Sequence, residues 1–192
     1  MDAILAAVKS SRIKNTVARL VISNKPEAAG LKIASEKYGV PVAVLRGNGL
    51  KGRDYDNKLV DLLKIHGVTP ESGLVCLAGF MRIISSEFVH TFRMRIINVH
   101  PALLPSFPGL HAQRQSIEYG VKVSGCTVHF VEEGIDSGPI ILQRAVEVAG
   151  EDTEQSLSDR ILKCEHELYP EAIRLFSEDR LRVDGRKVRI LP

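Results

Sequence analysis

Apolar residues along the chain recur in two rhythms, and the rhythm changes near the middle. Residues 2–9 read as a short helix. Residues 17–23 form a β-branched, apolar run of the kind found in a buried strand. In residues 27–38, Ala28, Leu31, Ala34 and Tyr38 recur near helical spacing, and 40–45 return to a strand pattern. Residues 53–66 are amphipathic, with Tyr55, Leu59, Leu62, Leu63 and His66 on one side. Residues 74–78 and 96–99 predict two further strands. Strands alternating with helical segments require crossover connections, so the expected fold is α/β: a Rossmann-like, mostly parallel sheet flanked by helices. The second half departs from this alternation. Residues 124–131 and 140–148 are strand-like, and 153–176 predict a long helix with Thr153 as its N-cap and Pro170 expected to end or kink it. Residues 181–191 suggest a hairpin about Asp184-Gly185. The C-terminal part is thus expected to hold antiparallel strands and a long helix.

Composition narrows the function classes. The chain has 192 residues, close to one domain of about 150. It is 44% hydrophobic and 26% charged, the balance of an ordinary soluble protein. Its 26 basic and 23 acidic side chains leave a net charge of +3, too little for a nucleic-acid footprint. Aromatic residues are 5%, with no tryptophan, which disfavours single-strand stacking platforms. No apolar run reaches the length of about 18 residues needed for a membrane span. The opening residues lack the features of a signal peptide, so a cytoplasmic location is expected. Cys76, Cys126 and Cys164 lie in apolar stretches and are expected to be buried, reduced thiols. Cys126 and His129 form the one close Cys/His pair, and a zinc site would need two more ligands; no metal is expected.

Two stretches carry candidate chemistry. Asn98 and His100, two apart on a strand, project to the same face at its carboxyl end, where open α/β sheets bind ligands. An amide donor and a titratable imidazole placed together could hold an oxygen that becomes negative during acyl transfer. A satisfied histidine at a strand end, with Asn98 capping a turn, is the plainer alternative. In the second stretch, Gly134 and Gly138 flank Asp136 and permit backbone angles that push its carboxylate into a cleft. Near His100, that carboxylate would favour the protonated imidazole; a solvated acidic turn is the alternative. His129, on an apolar strand beside Thr127, reads as a core polar contact. At residues 77–84, Gly79 would let a ligand approach the backbone and its neighbours could line a pocket, or could simply pack the core.

Taken in order, residues 76–83, Asn98-Val99-His100-Pro101-Ala102-Leu103-Leu104-Pro105, Phe107-Pro108-Gly109-Leu110-His111, Gly125-Cys126-Thr127-Val128-His129-Phe130-Val131, Asp136-Ser137-Gly138-Pro139-Ile140-Ile141-Leu142-Gln143 and Glu165-His166-Glu167-Leu168-Tyr169-Pro170 resemble the glycinamide ribonucleotide formyltransferases. The resemblance covers nearly the whole chain. It implies a one-carbon transferase of purine biosynthesis, passing a formyl group from 10-formyltetrahydrofolate to the amine of glycinamide ribonucleotide. Asn98 and protonated His100 would stabilise the tetrahedral oxygen, and Asp136 would pair with His100 and help relay the proton. Met81, Arg82, Ile83, Ile84, Glu132, Glu133, Gly134 and Ile135 would embrace the folate, with Arg53 nearby. Gly79, Pro101, Leu162 and Glu165 would meet the ribonucleotide, Glu165 through the ribose hydroxyls. Residues 107–113 would form a mobile loop near the site. The resemblance implies small-molecule partners, a possible homodimer, and neither metal, nucleic acid nor membrane. It divides the single domain into a nucleotide-binding-like half, 1–99, and a folate and catalytic half, 100–192. Ala102 departs from a frequent serine.

The resemblance also implies an opening strand and a Gly-x-Gly-Ser-Asn loop whose backbone N–H groups hold the ribonucleotide phosphate. Residues 1–4 match the helix after that loop, so the family's first strand and Gly-rich loop have no counterpart here. Gly47-Asn48-Gly49 follows a different strand and is a poor substitute. A natural start further upstream is the expectation; true loss would instead bring weakened phosphate binding and an unfilled place in the sheet. Two other readings follow: hydrolysis of 10-formyltetrahydrofolate, which needs only the folate half, and a folate-binding module without turnover.

Overall fold

The computed structural model describes residues 1–47, 49–50 and 52–192. Asn48, the centre of the Gly47-Asn48-Gly49 turn, lies outside the described residues. The chain divides into two compact units, Met1–Ile96 and Ile97–Pro192.

The first unit alternates helix and strand: α1 (Asp2–Lys9), β1 (Val21–Ser23), α2 (Ala29–Lys32), β2 (Val42–Val44), α3 (Arg53–Ile65), β3 (Val75–Leu77) and α4 (Ser86–Thr91). β1 and β2 pair in parallel, Val21 opposite Val42, as a crossover connection requires. The strand expected over 17–23 is laddered only at Val21–Ser23, and Val17 is well exposed. The helix expected over 27–38 loosens after Lys32 into a π-helical turn, Ile33–Lys37. Tyr38, just beyond it, donates its hydroxyl to Asp2 Oδ1 at 2.7 Å, and the Lys37 ammonium pairs with the same carboxylate at 3.0 Å. These bonds tie the turn to α1 over a cluster of Leu5, Ala34 and Val40. In α3, Tyr55, Leu59 and Leu63 are buried as the apolar stripe predicts, and Asp56 is buried with them. The Asp56 carboxylate accepts from the Ser85 backbone N–H at 2.6 Å, while the Ser85 hydroxyl caps α4 through Phe88 N.

The second unit is built on β4 (Ile96–His100), β5 (Val123–Phe130), β6 (Ile140–Glu147), β7 (Leu181–Asp184) and β8 (Lys187–Ile190), with α5 (Ala112–Tyr119) and α6 (Glu154–Ser177). Its strands run β4-β5-β6-β8-β7. The β4–β5 and β5–β6 ladders are antiparallel, as is the β7–β8 hairpin; β8 meets β6 in parallel at one pair. β5 is buried over seven of its eight residues, because β4 and β6 flank its edges and α6 covers a face.

Thr153 caps α6 as expected, in a reciprocal capping box with Ser156. Pro170 does not end that helix, which runs on to Ser177. The lost backbone bond is outweighed by burial on both sides of the proline: Leu168, Tyr169, Ala172, Ile173 and Leu175 are all buried, Tyr169 donates its hydroxyl to Ile97 O at 2.8 Å, and the Phe176 ring meets Phe130 edge-on. Two helices escape the hydrophobic pattern. α4 has six residues, too few to show a period. In α5 the buried positions are Ala112 and Ser116, which carry almost no hydrophobic signal.

Among the described residues no helix is long and apolar enough to cross a membrane. The three cysteines are free thiols. Burial pushes Cys76 and Cys126 up to about 12, so both stay protonated near neutrality.

Candidate active site

The register of β4 against β5 sets the site. Asn98 lies opposite His129 and His100 opposite Thr127, so four polar residues on two otherwise apolar strands share one side of the ladder. The next stretch, 101–105, is held by Thr127. Its hydroxyl donates to Ala102 O at 2.6 Å and accepts from Leu104 N at 3.0 Å and Gln143 Nε2 at 3.0 Å. Gln143 Nε2 also reaches Leu104 O at 2.9 Å. The backbone leaving His100 is thereby fixed by a network centred on the buried Thr127 hydroxyl, and Pro101 beside it is half-buried.

Asp136 enters from the loop between β5 and β6. The loop closes through Phe130 N–H donating to Pro139 O at 2.9 Å. A Cβ on Gly138 would sit 1.8 Å from Phe130 O, so glycine is needed there for close approach rather than for its φ angle. The left-handed conformation falls on Asp136 itself, at φ 48°. Of the flanking glycines, Gly134 also has a positive φ, 106°, as expected from the sequence, while Gly138 does not.

His100 is 4% exposed, and both its ring nitrogens face acceptors. Nδ1 lies 3.2 Å from Asp136 Oδ2, and Nε2 lies 2.8 Å from the Phe107 carbonyl. The two N–H bonds of an imidazolium would satisfy both at once. Gly109 N–H donates to the same Asp136 oxygen at 2.8 Å. The segment from Phe107 to Gly109 is therefore bonded to both members of the pair.

Asp136 has a second imidazole neighbour. His129 Nε2 is 3.7 Å from Asp136 Oδ1 and 3.4 Å from Asn98 Nδ2. Burial pushes the His129 imidazole below its ordinary value, against the opposing pulls of the Phe130 carbonyl and Asp136. His129 and Thr127, read from the sequence as a core polar contact, are buried and hydrogen-bonded as that reading has it, and His129 also meets Asn98. A signal of the cluster was present: each of two apolar strands carries polar residues two apart, and both pairs point into the same cluster.

The remaining candidates are spread through the two units. In the second, Glu132 is half-buried while Glu133, Gly134 and Ile135 are exposed, and the Ser137 hydroxyl holds Glu133 O at 2.9 Å. Leu162 and Glu165 lie three apart on one side of α6. Glu165 is half-buried, and burial pushes its carboxyl up to about 7. In the first unit, Met81 and Ile83 are 78% and 82% exposed, and Ile84 is half-buried. The Arg82 guanidinium lies over the Tyr55 ring, 4.0 Å from its centroid, and donates to Leu50 O at 2.9 Å. Gly79 has φ 66° and open space where a Cβ would stand; it is glycine for its backbone angle, not for close approach. Arg53 is ion-paired with Glu87. Among the described residues no group of three His, Cys, Asp or Glu side chains is placed to hold a metal.

Known proteins share this arrangement of elements. The family model described as formyl transferase matches residues 1–173. The chain is 40% identical to phosphoribosylglycinamide formyltransferase of Escherichia coli (strain K12) over 184 residues, which cover 95% of this chain and 84% of that enzyme. It is 49% identical over 155 residues, 80% of its length, to the trifunctional purine biosynthetic protein adenosine-3 of Drosophila melanogaster, of which it spans 11%. The crystal structure of glycinamide ribonucleotide transformylase 1 from Symbiobacterium toebii superposes with a TM-score of 0.92 at 49% identity, covering 100% of this chain and 88% of that one. The chain belongs to the formyl transferase family.

Proposed function

We propose that the chain transfers the formyl group of 10-formyltetrahydrofolate to the amine of glycinamide ribonucleotide. The observation that carries this reading is the buried His100–Asp136 pair, 3.2 Å apart, with Asn98 on the same face of β4. In the reaction the amine forms a C–N bond to the formyl carbon, the bond from that carbon to the folate nitrogen breaks, and one proton passes from the amine to the departing nitrogen. His100 Nε2–H binds the formyl oxygen once the Phe107 carbonyl gives way, and Asn98 Nδ2 supplies a second donor. A donor aimed at such an oxygen is worth about 2.7–4 kcal/mol of the barrier. Asp136, bonded to Nδ1, holds the ring in place, balances its charge and accepts the proton in transit.

The other residues are assigned by the same reading. Glu132, Glu133, Gly134 and Ile135 contact the folate, as do Met81, Arg82, Ile83, Ile84 and Arg53. Gly79, Pro101, Leu162 and Glu165 contact the ribonucleotide, Glu165 accepting from the ribose hydroxyls. The three free thiols fit a reducing compartment, and the activity is placed in the cytoplasm.

The test is a steady-state assay of this 192-residue chain with a 10-formyl folate, with and without glycinamide ribonucleotide, followed by folate absorbance. Turnover that requires the ribonucleotide is expected. Equal folate turnover without it would replace transfer by hydrolysis. A folded chain that binds folate and does not turn it over would be a binding module.

A further inference from the structure

We infer that His129 is a positioning residue, whose unprotonated Nε2 accepts from the Asn98 amide and so sets which end of that amide faces the reacting oxygen. The inference rests on the function proposed above for its catalytic consequence, but its structural half stands on three contacts.

The first contact fixes the proton. His129 Nδ1 lies 2.8 Å from the Phe130 carbonyl, and a carbonyl can only accept, so Nδ1 carries the hydrogen. The ring is 2% exposed, and burial disfavours its charged form. Nε2 is then a bare lone pair. The second contact is Asn98 Nδ2 at 3.4 Å from that lone pair. An amide NH2 has two hydrogens; one points to His129 and the other remains for an oxygen in the cleft. With the amide turned over, Oδ1 would oppose the Nε2 lone pair, and Asn98 would present no donor to the substrate. The third contact is Asp136 Oδ1, 3.7 Å from the same Nε2. Two acceptors facing one another do not bond, so the carboxylate is left to His100 and Gly109 through Oδ2. The titratable groups facing His129 are therefore Asp136, from the loop after β5, and His100, from β4.

The arrangement distributes work between two histidines on one side of one ladder. His100 faces acceptors at both ring nitrogens. His129 faces an acceptor at one and a donor at the other and suits a neutral ring in the Nδ1–H tautomer. That tautomer is the measurable signature.

The first experiment is long-range proton–nitrogen NMR on the whole chain labelled with 15N-histidine, with the His129 signals assigned by their loss in His129→Phe. The expected result near neutral pH is a protonated Nδ1 and a bare Nε2. A proton on Nε2, alone or in addition, overturns the inference. The second experiment compares wild type with His129→Phe and His129→Gln in steady-state formyl transfer. His129→Phe is expected to lose about tenfold or more in kcat, less than the roughly 100- to 1000-fold loss of a whole oxyanion donor, with KM for both substrates unchanged. His129→Gln, whose side-chain oxygen can accept from Asn98, is expected to recover part of the loss. Full kcat in His129→Phe, or equal loss in both variants, overturns it. If His129→Phe does not fold, His129→Gln alone provides both the assignment and the kinetic comparison. If the wild-type chain has no turnover, the proposed function fails, and the tautomer still decides the placement of the amide.

Discussion

The strands of the first unit are three residues long and none has a fully buried position, whereas β5 in the second unit runs eight residues with seven buried. The candidate chemistry divides the same way. Asn98, His100, Thr127 and His129 are placed by antiparallel register, where a shift of one residue would send every side chain to the wrong face. Met81 and Ile83 follow a short strand and stand almost fully exposed. A long, doubly flanked ladder fixes side-chain directions closely enough for chemistry on one oxygen; a loop after a short strand offers backbone groups and shape. Substitutions in the ladder should therefore remove turnover or stability, and substitutions around the first unit's loop should change binding by modest factors.

The largest effect is expected at Asp136. Asp136→Asn keeps the shape of the side chain and removes the charge beside His100 Nδ1. Steady-state kinetics should show kcat falling roughly a thousandfold, with folate binding changed little. An equal loss in both would contradict the assigned role.

Thr127 tests whether the same ladder is a structural device. Thr127→Val preserves volume but leaves Leu104 N–H and the Ala102 carbonyl without their partner in a site that is 0% exposed at Thr127. The expected loss is about 2 kcal/mol or more, read as a lower urea midpoint at unchanged slope. A shift near zero would mean that the stretch 101–105 is held by its own packing.

Glu165 gives a smaller, pH-dependent effect. Its ordinary value is 4.5, and in the folded chain burial raises it to about 7. Between these values the folded state holds a proton that the unfolded state has lost. The stability tied to this group is full below about 4.5 and falls as pH rises to about 7. Urea unfolding of wild type and Glu165→Gln at about pH 5 and pH 8 should show the variant gaining relative stability at the higher pH. The charged carboxylate is also the better acceptor for ribose hydroxyls, so the wild-type KM for the ribonucleotide should drop as pH rises through about 7, and Glu165→Gln should lose that dependence.

Legibility in the sequence followed the same physical divide. The helices α1, α3 and α6 were readable because each has either a clear apolar stripe or a strong cap, and the β5 and β6 strands because they are long and apolar. The ends of β1 and β2 were not, because a strand ends where its partner ends, and that is a property of pairing rather than of propensity. Pro170 does not end α6, because tertiary burial outweighed a local rule. Within the site, Asn98, His100 and Asp136 could be singled out from residue type and position on a strand or Gly-flanked loop. Asp136's own left-handed backbone and His129's contact with Asn98 depend on which strand lies opposite which, and one-dimensional spacing does not carry that register.

The smallest effect sharpens the contrast most directly. Arg53 is, beside Arg82, one of two charged residues of the first unit assigned to the folate by the resemblance, and it is engaged by Glu87, with the two side chains 69% and 45% exposed. Two exposed partners of this kind contribute little to stability, so Glu87→Gln should barely move the unfolding midpoint. It should, however, release the guanidinium. If Arg53 contacts the folate, whose tail carries carboxylates, KM for the formyl donor should fall by a small factor, with kcat unchanged and the gain shrinking as salt screens the exposed charges. A KM that stays constant across salt concentrations would leave Arg53 as a surface partner of α4, and would assign folate binding in the first unit to the backbone and apolar surface around Met81 and Ile83.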